Sequence, residues 1–320
     1  MHFFQNMLNL RHMRKNIFFI LLVIVFIGLI FVMVKNSKKS FTPIKEDKLQ
    51  VVTSFYPLYF FASSIGGDRA QVENITPAGA EPHDFEPTAA DVVRMENSKL
   101  IILNGGGLEA WQNNIQKNIN PENTTIVLAG EELATQKISE DGQMNRDPHV
   151  WLAPVLAQKM VDKIAQGFAQ VDPANQDYYQ ANATALKNKL VQLDAQYKQG
   201  LNNCARRDII TSHAAFGYLA ASYGLHQVPI AGLSPDAEPS PSQLAMIAKF
   251  ARDNQVQYIF FESLASPKLA ETLAKEVEAQ TLVLDPLEGL SGEELAQGKN
   301  YLTIMQDNLT NLETALACTK

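Results

Sequence analysis

From Leu49 to the C-terminus, short β-branched runs alternate with helical stretches, and few folds accommodate that alternation. The runs Leu49–Thr53, Ala70–Thr76, Lys99–Asn104 and Thr124–Leu128 read as strands, with helices predicted over Pro57–Gly66, Thr88–Asn97 and Leu108–Ile119. Neighbouring parallel strands need a long crossover, which a helix supplies, so the pattern implies a mostly parallel sheet covered by helices. It resumes after Cys204, with strands at Asp208–Thr211, His226–Ile230, Val256–Phe261 and Thr281–Leu284. The helices of this second series are expected at Ala214–Tyr223, Ser240–Asn254, Pro267–Ala279 and Glu293–Cys318. Between the two series lie one helix from Pro154 to Gln170 and another starting at Pro173, with Asp172 as its cap. The second runs to Gly200 without a breaker, much longer than the usual ~11–12 residues, and reads as a rigid spine. The expected fold is therefore α/β, with two lobes, each a mostly parallel sheet flanked by helices, joined by a long linking helix. The boundaries fall at 1–48 for an anchor and tether, 49–153 for the N-terminal lobe, 154–203 for the linking helices and 204–320 for the C-terminal lobe. Gly130 to Asp147, polar and acidic, reads as a surface loop.

Ile17 to Val34 is an uncharged apolar run of 18 residues, long enough as a helix to span roughly the hydrocarbon core of a bilayer. Arg11, Arg14 and Lys15 before it balance Lys35, Lys38 and Lys39 after it, so basic residues do not set the orientation. No small-x-small cleavage site follows, and no cysteine lies near enough for lipid attachment, so the run reads as an uncleaved transmembrane anchor, with a cleaved signal segment as the alternative. Residues 1–50 carry eight Lys/Arg and two Asp/Glu; the remaining 270 carry 19 against 32, a net charge of −13. An acidic body argues against nucleic acid as a partner. Cys204 and Cys318 form an even pair, read as one disulfide if the body is exported and as free thiols in the cytosol.

Of the four histidines beyond the anchor, three sit in loops rich in carboxylate, proline or serine: Glu81-Pro-His83-Asp84, Asp147-Pro-His149-Val150 and Thr211-Ser-His213-Ala214. A further loop, Leu284-Asp285-Pro286-Leu287-Glu288-Gly289, follows a strand and supplies carboxylate without histidine. Imidazole nitrogens plus one carboxylate oxygen suit a divalent transition metal, zinc in particular. Ligands of open α/β sheets collect beyond the carboxyl ends of strands, where His83, His213 and Asp285 are placed. His226, without acidic or proline neighbours of this kind, reads as an ordinary surface or capping histidine.

Six segments in order resemble those of the metal-binding receptors of ABC importers, the cluster A-I family. They are Ser54-Phe-Tyr-Pro-Leu58, Gly79-Ala-Glu-Pro-His-Asp-Phe-Glu-Pro87, Asp147-Pro-His-Val-Trp-Leu152, Ser212-His-Ala-Ala-Phe-Gly-Tyr-Leu219, Gly232-Leu-Ser-Pro-Asp-Ala-Glu-Pro-Ser240 and Leu284-Asp-Pro-Leu-Glu-Gly289. The resemblance implies a two-lobed, extracytoplasmic binding protein that holds Zn2+ or Mn2+ in its cleft and delivers it to a membrane permease. Carried over by position, it makes His83, His149 and His213 nitrogen ligands and leaves the fourth place to Asp285 or Glu288. Asp285 is slightly favoured because it directly follows the strand. Manganese-type members have glutamate where His213 stands, so zinc is the expected ion and manganese the alternative. Glu81, Asp84 and Glu86 flank the first ligand as supporting groups or as a solvated acidic loop, and Asp236 and Glu238 read as a cleft-rim turn. Gly130–Asp147 holds none of the histidines found in the corresponding loop of many Gram-negative members. The rival class is a zinc hydrolase with three protein ligands and a water, but no HExxH or GxSxG is present. A surface adhesin would use the same fold.

Overall fold

The computed structural model describes residues 48–140 and 142–319, and the anchor expected at Ile17–Val34 lies outside them. Among the described residues no helix is long and apolar enough to cross a membrane. The residues from Lys48 onward form one compact unit with two four-stranded parallel sheets. The first contains β1 (Leu49–Thr53), β2 (Ala70–Asn74), β3 (Leu100–Leu103) and β4 (Thr125–Leu128) in the order β2-β1-β3-β4. β3, Leu-Ile-Ile-Leu, is buried along its whole length, as expected of a central parallel strand covered on both faces. The connections carry α1 (Tyr56–Gly66), α2 (Ala89–Asn97) and α3 (Gln112–Asn118). α2 starts with a capping box in which Thr88 and Asp91 satisfy each other's backbone N–H groups.

The second sheet contains β7 (Asp208–Thr211), β8 (His226–Pro229), β9 (Tyr258–Phe261) and β10 (Gln280–Val283), ordered β10-β9-β7-β8. Numbered within its own half, each sheet has the same order, 2-1-3-4. The second sheet is accompanied by α6 (Gly217–Tyr223), α7 (Pro241–Asp253) and α8 (Lys268–Glu276). Pro229 lies on edge strand β8, where a missing N–H costs no ladder bond.

Between the sheets run α4 (Pro154–Val171) and α5 (Gln176–Gly200), the latter 25 residues and so ~37 Å long. Tyr179, Ala183, Leu186, Leu190, Leu193 and Tyr197 recur every three or four residues and are all buried. The stripe is held at both ends by polar contacts: Asn182 donates to the Ile65 carbonyl at 2.9 Å, and Tyr197 donates to the Met305 carbonyl at 2.6 Å. α5 therefore packs on the neighbouring linker helix α4, on α1 from the first half and on α10 (Tyr301–Ala315) from the second. One apolar core runs from Val51 through this spine to Leu316, while smaller clusters fill the other face of each sheet. At Gly167 of α4 a Cβ would lie 2.6 Å from Val127, so the glycine sets how closely that helix approaches β4.

Three local expectations are corrected. The stretch read as a loop from Gly130 to Asp147 contains an antiparallel hairpin, β5 (Lys137–Glu140) and β6 (Gln143–Arg146). The helix expected over Glu293–Cys318 is two, α9 (Gly292–Ala296) and α10, because Gly298 adopts φ +76° and Asn300 caps a new start. Asp172 does not cap α5; Pro173–Asn175 form a 3₁₀ turn, and the Asp172 carboxylate accepts from Tyr179 at 2.6 Å and Asn175 at 2.8 Å. Cys204 and Cys318 are disulfide-bonded across a separation of 114 residues.

Candidate metal centre

His83 lies in the loop between β2 and α2, and His149 follows β6. His213 follows β7, and Glu288 lies in the loop after β10. One atom from each meets at a common point: Nε2 of the three histidines and Oε1 of Glu288 lie within 4.8 Å of one another. Their separations are 3.2 Å for His83–His149, 3.4 Å for His149–His213 and 3.2 Å for His213–Glu288. The remaining measured pairs are 3.2 Å for His149–Glu288 and 3.4 Å for His83–Glu288. A tetrahedron with zinc–ligand arms of ~2.0–2.1 Å has edges of roughly 3.3–3.4 Å. Five edges of such a tetrahedron are therefore laid out by the protein alone.

Carboxylates fix the imidazoles from behind. Asp147 Oδ1 accepts from His149 Nδ1 at 2.7 Å and from the His149 backbone N–H at 2.9 Å. Glu262 Oε1 does the same for His213, at 2.7 Å from Nδ1 and 3.1 Å from the backbone N–H. A carboxylate at Nδ1 places the ring proton there and turns the Nε2 lone pair towards the common point. Glu81 Oε1 accepts the His83 backbone N–H, at 3.1 Å. The sequence reading missed Glu262. Its signal is position: it directly follows the apolar strand β9, at the carboxyl edge from which His213 also emerges.

The loop after β10 explains which carboxylate reaches the centre. Asp285 Oδ1 accepts the Leu287 N–H at 2.6 Å, an Asx turn, while Oδ2 accepts from the Ser263 hydroxyl. Asn308 brackets the Asp285 backbone, accepting its N–H at 2.9 Å and donating to its carbonyl at 2.7 Å. Leu287 is held at φ +58°, a left-handed conformation that costs an ordinary residue ~1–2 kcal/mol, and it is fully buried. Trp151 Nε1 also donates to the Pro286 carbonyl at 2.8 Å. With Asp285 engaged in shaping the turn, Glu288 faces the histidines, and the slight sequence preference for Asp285 does not match this arrangement.

Electrostatics follow from burial and proximity. Burial alone would raise Glu288, but His213, His149 and His83 hold its carboxyl well below the usual range. Burial opposes charge on His149 and His213, yet Asp147 and Glu288 push the first up, and Glu262 and Glu288 push the second well up. His83 is lowered by burial, against the pull of Glu288. Burial and the nearby Glu288 push Glu81 up to about 9. Burial pushes Asp285 up to about 7. Asp84, Glu86, Asp236 and Glu238 are exposed, with Asp84 raised by its hydrogen bond to Asp236 across the rim. His226 is exposed and pairs with Asp208 at 2.9 Å, away from the centre.

His83 is the most open of the four, its side chain 10% exposed against 2% or less for the others. It borders a cleft of about 660 Å³ whose wall includes Gly106, Gly107, Pro148 and Leu233. Asn104 donates to the Pro148 carbonyl at 3.0 Å, steadying the His149 loop.

A family model described as zinc-uptake complex component A, periplasmic (ZnuA), matches residues 51–315. The chain belongs to the ZnuA family. It is 41% identical over 292 residues to the high-affinity zinc uptake system protein ZnuA of Bacillus subtilis (strain 168), covering 88% of this chain and 92% of that protein. It is 38% identical to the zinc-binding lipoprotein AdcA of Streptococcus pneumoniae (strain ATCC BAA-255 / R6), over 89% of this chain but only 58% of AdcA. The solved Zn(II)-bound ZnuA-like domain of S. pneumoniae AdcA superposes with a TM-score of 0.73 at 38% identity, covering 84% of this chain and 99% of the domain. These ZnuA-family relatives are named for zinc uptake or zinc binding and not for a reaction.

Proposed function

We propose that this chain is an extracytoplasmic zinc receptor that captures Zn2+ between two lobes, 49–153 and 204–320, and delivers it to an ABC permease. His83, His149, His213 and Glu288 are the ligands, and the segment 154–203 links the lobes. Three imidazoles and one carboxylate oxygen suit zinc better than manganese, which takes more oxygen. The observation that carries the reading is the set of five donor separations between 3.2 and 3.4 Å. Four protein ligands close the coordination sphere, as in a site that stores an ion and not in one that activates a water. Bound zinc against one ligating carboxylate leaves the immediate site at +1, and Asp147 and Glu262 sit behind two of the rings to offset it. The apolar run Ile17–Val34 supports tethering of the receptor to the outer face of the cell membrane, near its permease.

The test is elemental analysis of metal-stripped protein offered equimolar zinc and manganese. One zinc per chain is the expected result. Absence of tightly held metal, or a stoichiometry of two or more, would sink the four-ligand assignment.

A further inference from the structure

The base of the β5–β6 hairpin is incomplete in an informative way. Gln136 and Asp147 face each other just beyond the last paired residues, and the Asp147 N–H donates directly to the Gln136 carbonyl at 3.0 Å. In an antiparallel hydrogen-bonded pair the reciprocal bond runs from the Gln136 N–H to the Asp147 carbonyl. Here the Tyr218 hydroxyl occupies that place. It accepts the Gln136 N–H at 2.9 Å and donates to the Asp147 carbonyl at 3.1 Å. Tyr218 belongs to α6, in the other half of the molecule, five residues after His213. It is buried, and the preceding Gly217 lies so close that a methyl group there would stand 2.9 Å from Asp147 Oδ2 and 2.8 Å from Gln136 Oε1.

We propose that the Tyr218 hydroxyl is a wedge that couples contact between the two halves to the position of His149, and so sets the rate at which zinc leaves. This rests on the zinc reading above. With the wedge seated, Asp147 is held where its Oδ1 orients the His149 ring. When the halves part, the hydroxyl withdraws, and the Gln136 N–H and Asp147 carbonyl are left as an unpaired donor and acceptor facing each other. They close the missing rung directly, because leaving both unpaired is costly. Closing the rung draws Asp147 towards Gln136 and swings its carboxylate away from His149 Nδ1. The ring then loses its aim at the ion, and one of the four ligands is given up without any unfolding. Tyr218 is thus a positioning residue, acting on the ion only through Asp147 and His149.

The experiment uses the full chain and its Tyr218→Phe variant, with zinc as the ligand. Zinc dissociation is followed by competition with a chromophoric chelator, and amide exchange is followed at Gln136. Losing a buried hydrogen bond that acts mainly in the bound state should speed dissociation roughly tenfold, with the association rate unchanged. The metal-free melting temperature and the Co2+ absorption spectrum should match those of the parent, as a general packing defect would not allow. In the unmutated protein the Gln136 amide should exchange more slowly with zinc bound than without, because the buried Tyr218 then covers the rung, whereas parted halves leave the closed rung open to solvent. That arm needs no variant to fold. Dissociation within twofold of the parent, or Gln136 protection indifferent to zinc in the unmutated protein, overturns the proposal. If the unmutated protein binds no zinc, it is the receptor reading that fails, and this is seen before any variant is compared.

Discussion

At the scale of single residues, the centre separates groups proposed to hold the ion from groups that shape the holder. Glu288→Gln removes the one charge among the proposed ligands, and zinc affinity should fall by at least ~100-fold in chelator competition, the upper end of what a supporting partner costs. Asp285→Asn should cost less, since an amide oxygen still accepts the Leu287 N–H; a loss equal to that of Glu288→Gln would reverse the assignment. Glu262→Gln keeps an acceptor for His213 but drops the charge behind the ring, and ~10–100-fold is the expected loss for such a supporting partner. Because ligating imidazoles must be free of protons at Nε2, and His149 and His213 are held towards protonation when no ion is bound, zinc must displace protons. Affinity should therefore weaken as pH falls from about 7.5 to about 5, with proton release seen by calorimetry in buffers of different ionisation enthalpy. An affinity flat across that range would count against three histidine ligands. The histidines were legible because each sits in a distinctive local string such as Asp147-Pro148-His149. Glu262 was not, because its partner lies 49 residues away in sequence and only the pairing of β7 with β9 brings them together.

Elements were most legible where period and burial agree. The stretch from Pro173 to Gly200, free of helix breakers, marks α5 as long, and the structure buries the stripe from Tyr179 to Tyr197 along it. Leu190 is fully buried in it, so Leu190→Ala should cost ~2–5 kcal/mol in denaturant unfolding of the metal-free protein. Where short-range signals compete, the sequence was ambiguous. Gln143–Arg146 is exposed along its length and has no apolar alternation, so nothing in its pattern marks it as a strand. Gly298 looks like a tolerable helix residue until its left-handed backbone and the Asn300 cap are seen together. Such breaks are decided by which polar side chain is free to cap the next turn, and that depends on tertiary placement.

Across the whole molecule, the two parallel sheets and the spine between them follow from the two βα series, whereas the strand order they share and the convergence of four loops on one point follow only from how strands pair and sheets face each other. The disulfide acts at this scale. It ties the segment just beyond α5 to the segment just beyond α10. In the chain-entropy account, closing a loop of more than 100 residues is worth up to ~4–5 kcal/mol. Replacing Cys204 and Cys318 with serine should lower metal-free stability by up to that amount in denaturant titrations, while leaving zinc stoichiometry untouched.

The proposed ligands sit at positions 83, 149, 213 and 288, each in a different long segment of chain. An unfolded chain thus offers no local chelate, and any ion that binds joins regions that only folding brings together. Zinc then acts as a reversible four-way cross-link, closing three long loops at once, in addition to the one permanent covalent tie. Loaded protein should resist proteolysis far better than stripped protein. A chain emerging unfolded on the far side of a membrane would carry no zinc until it had finished folding.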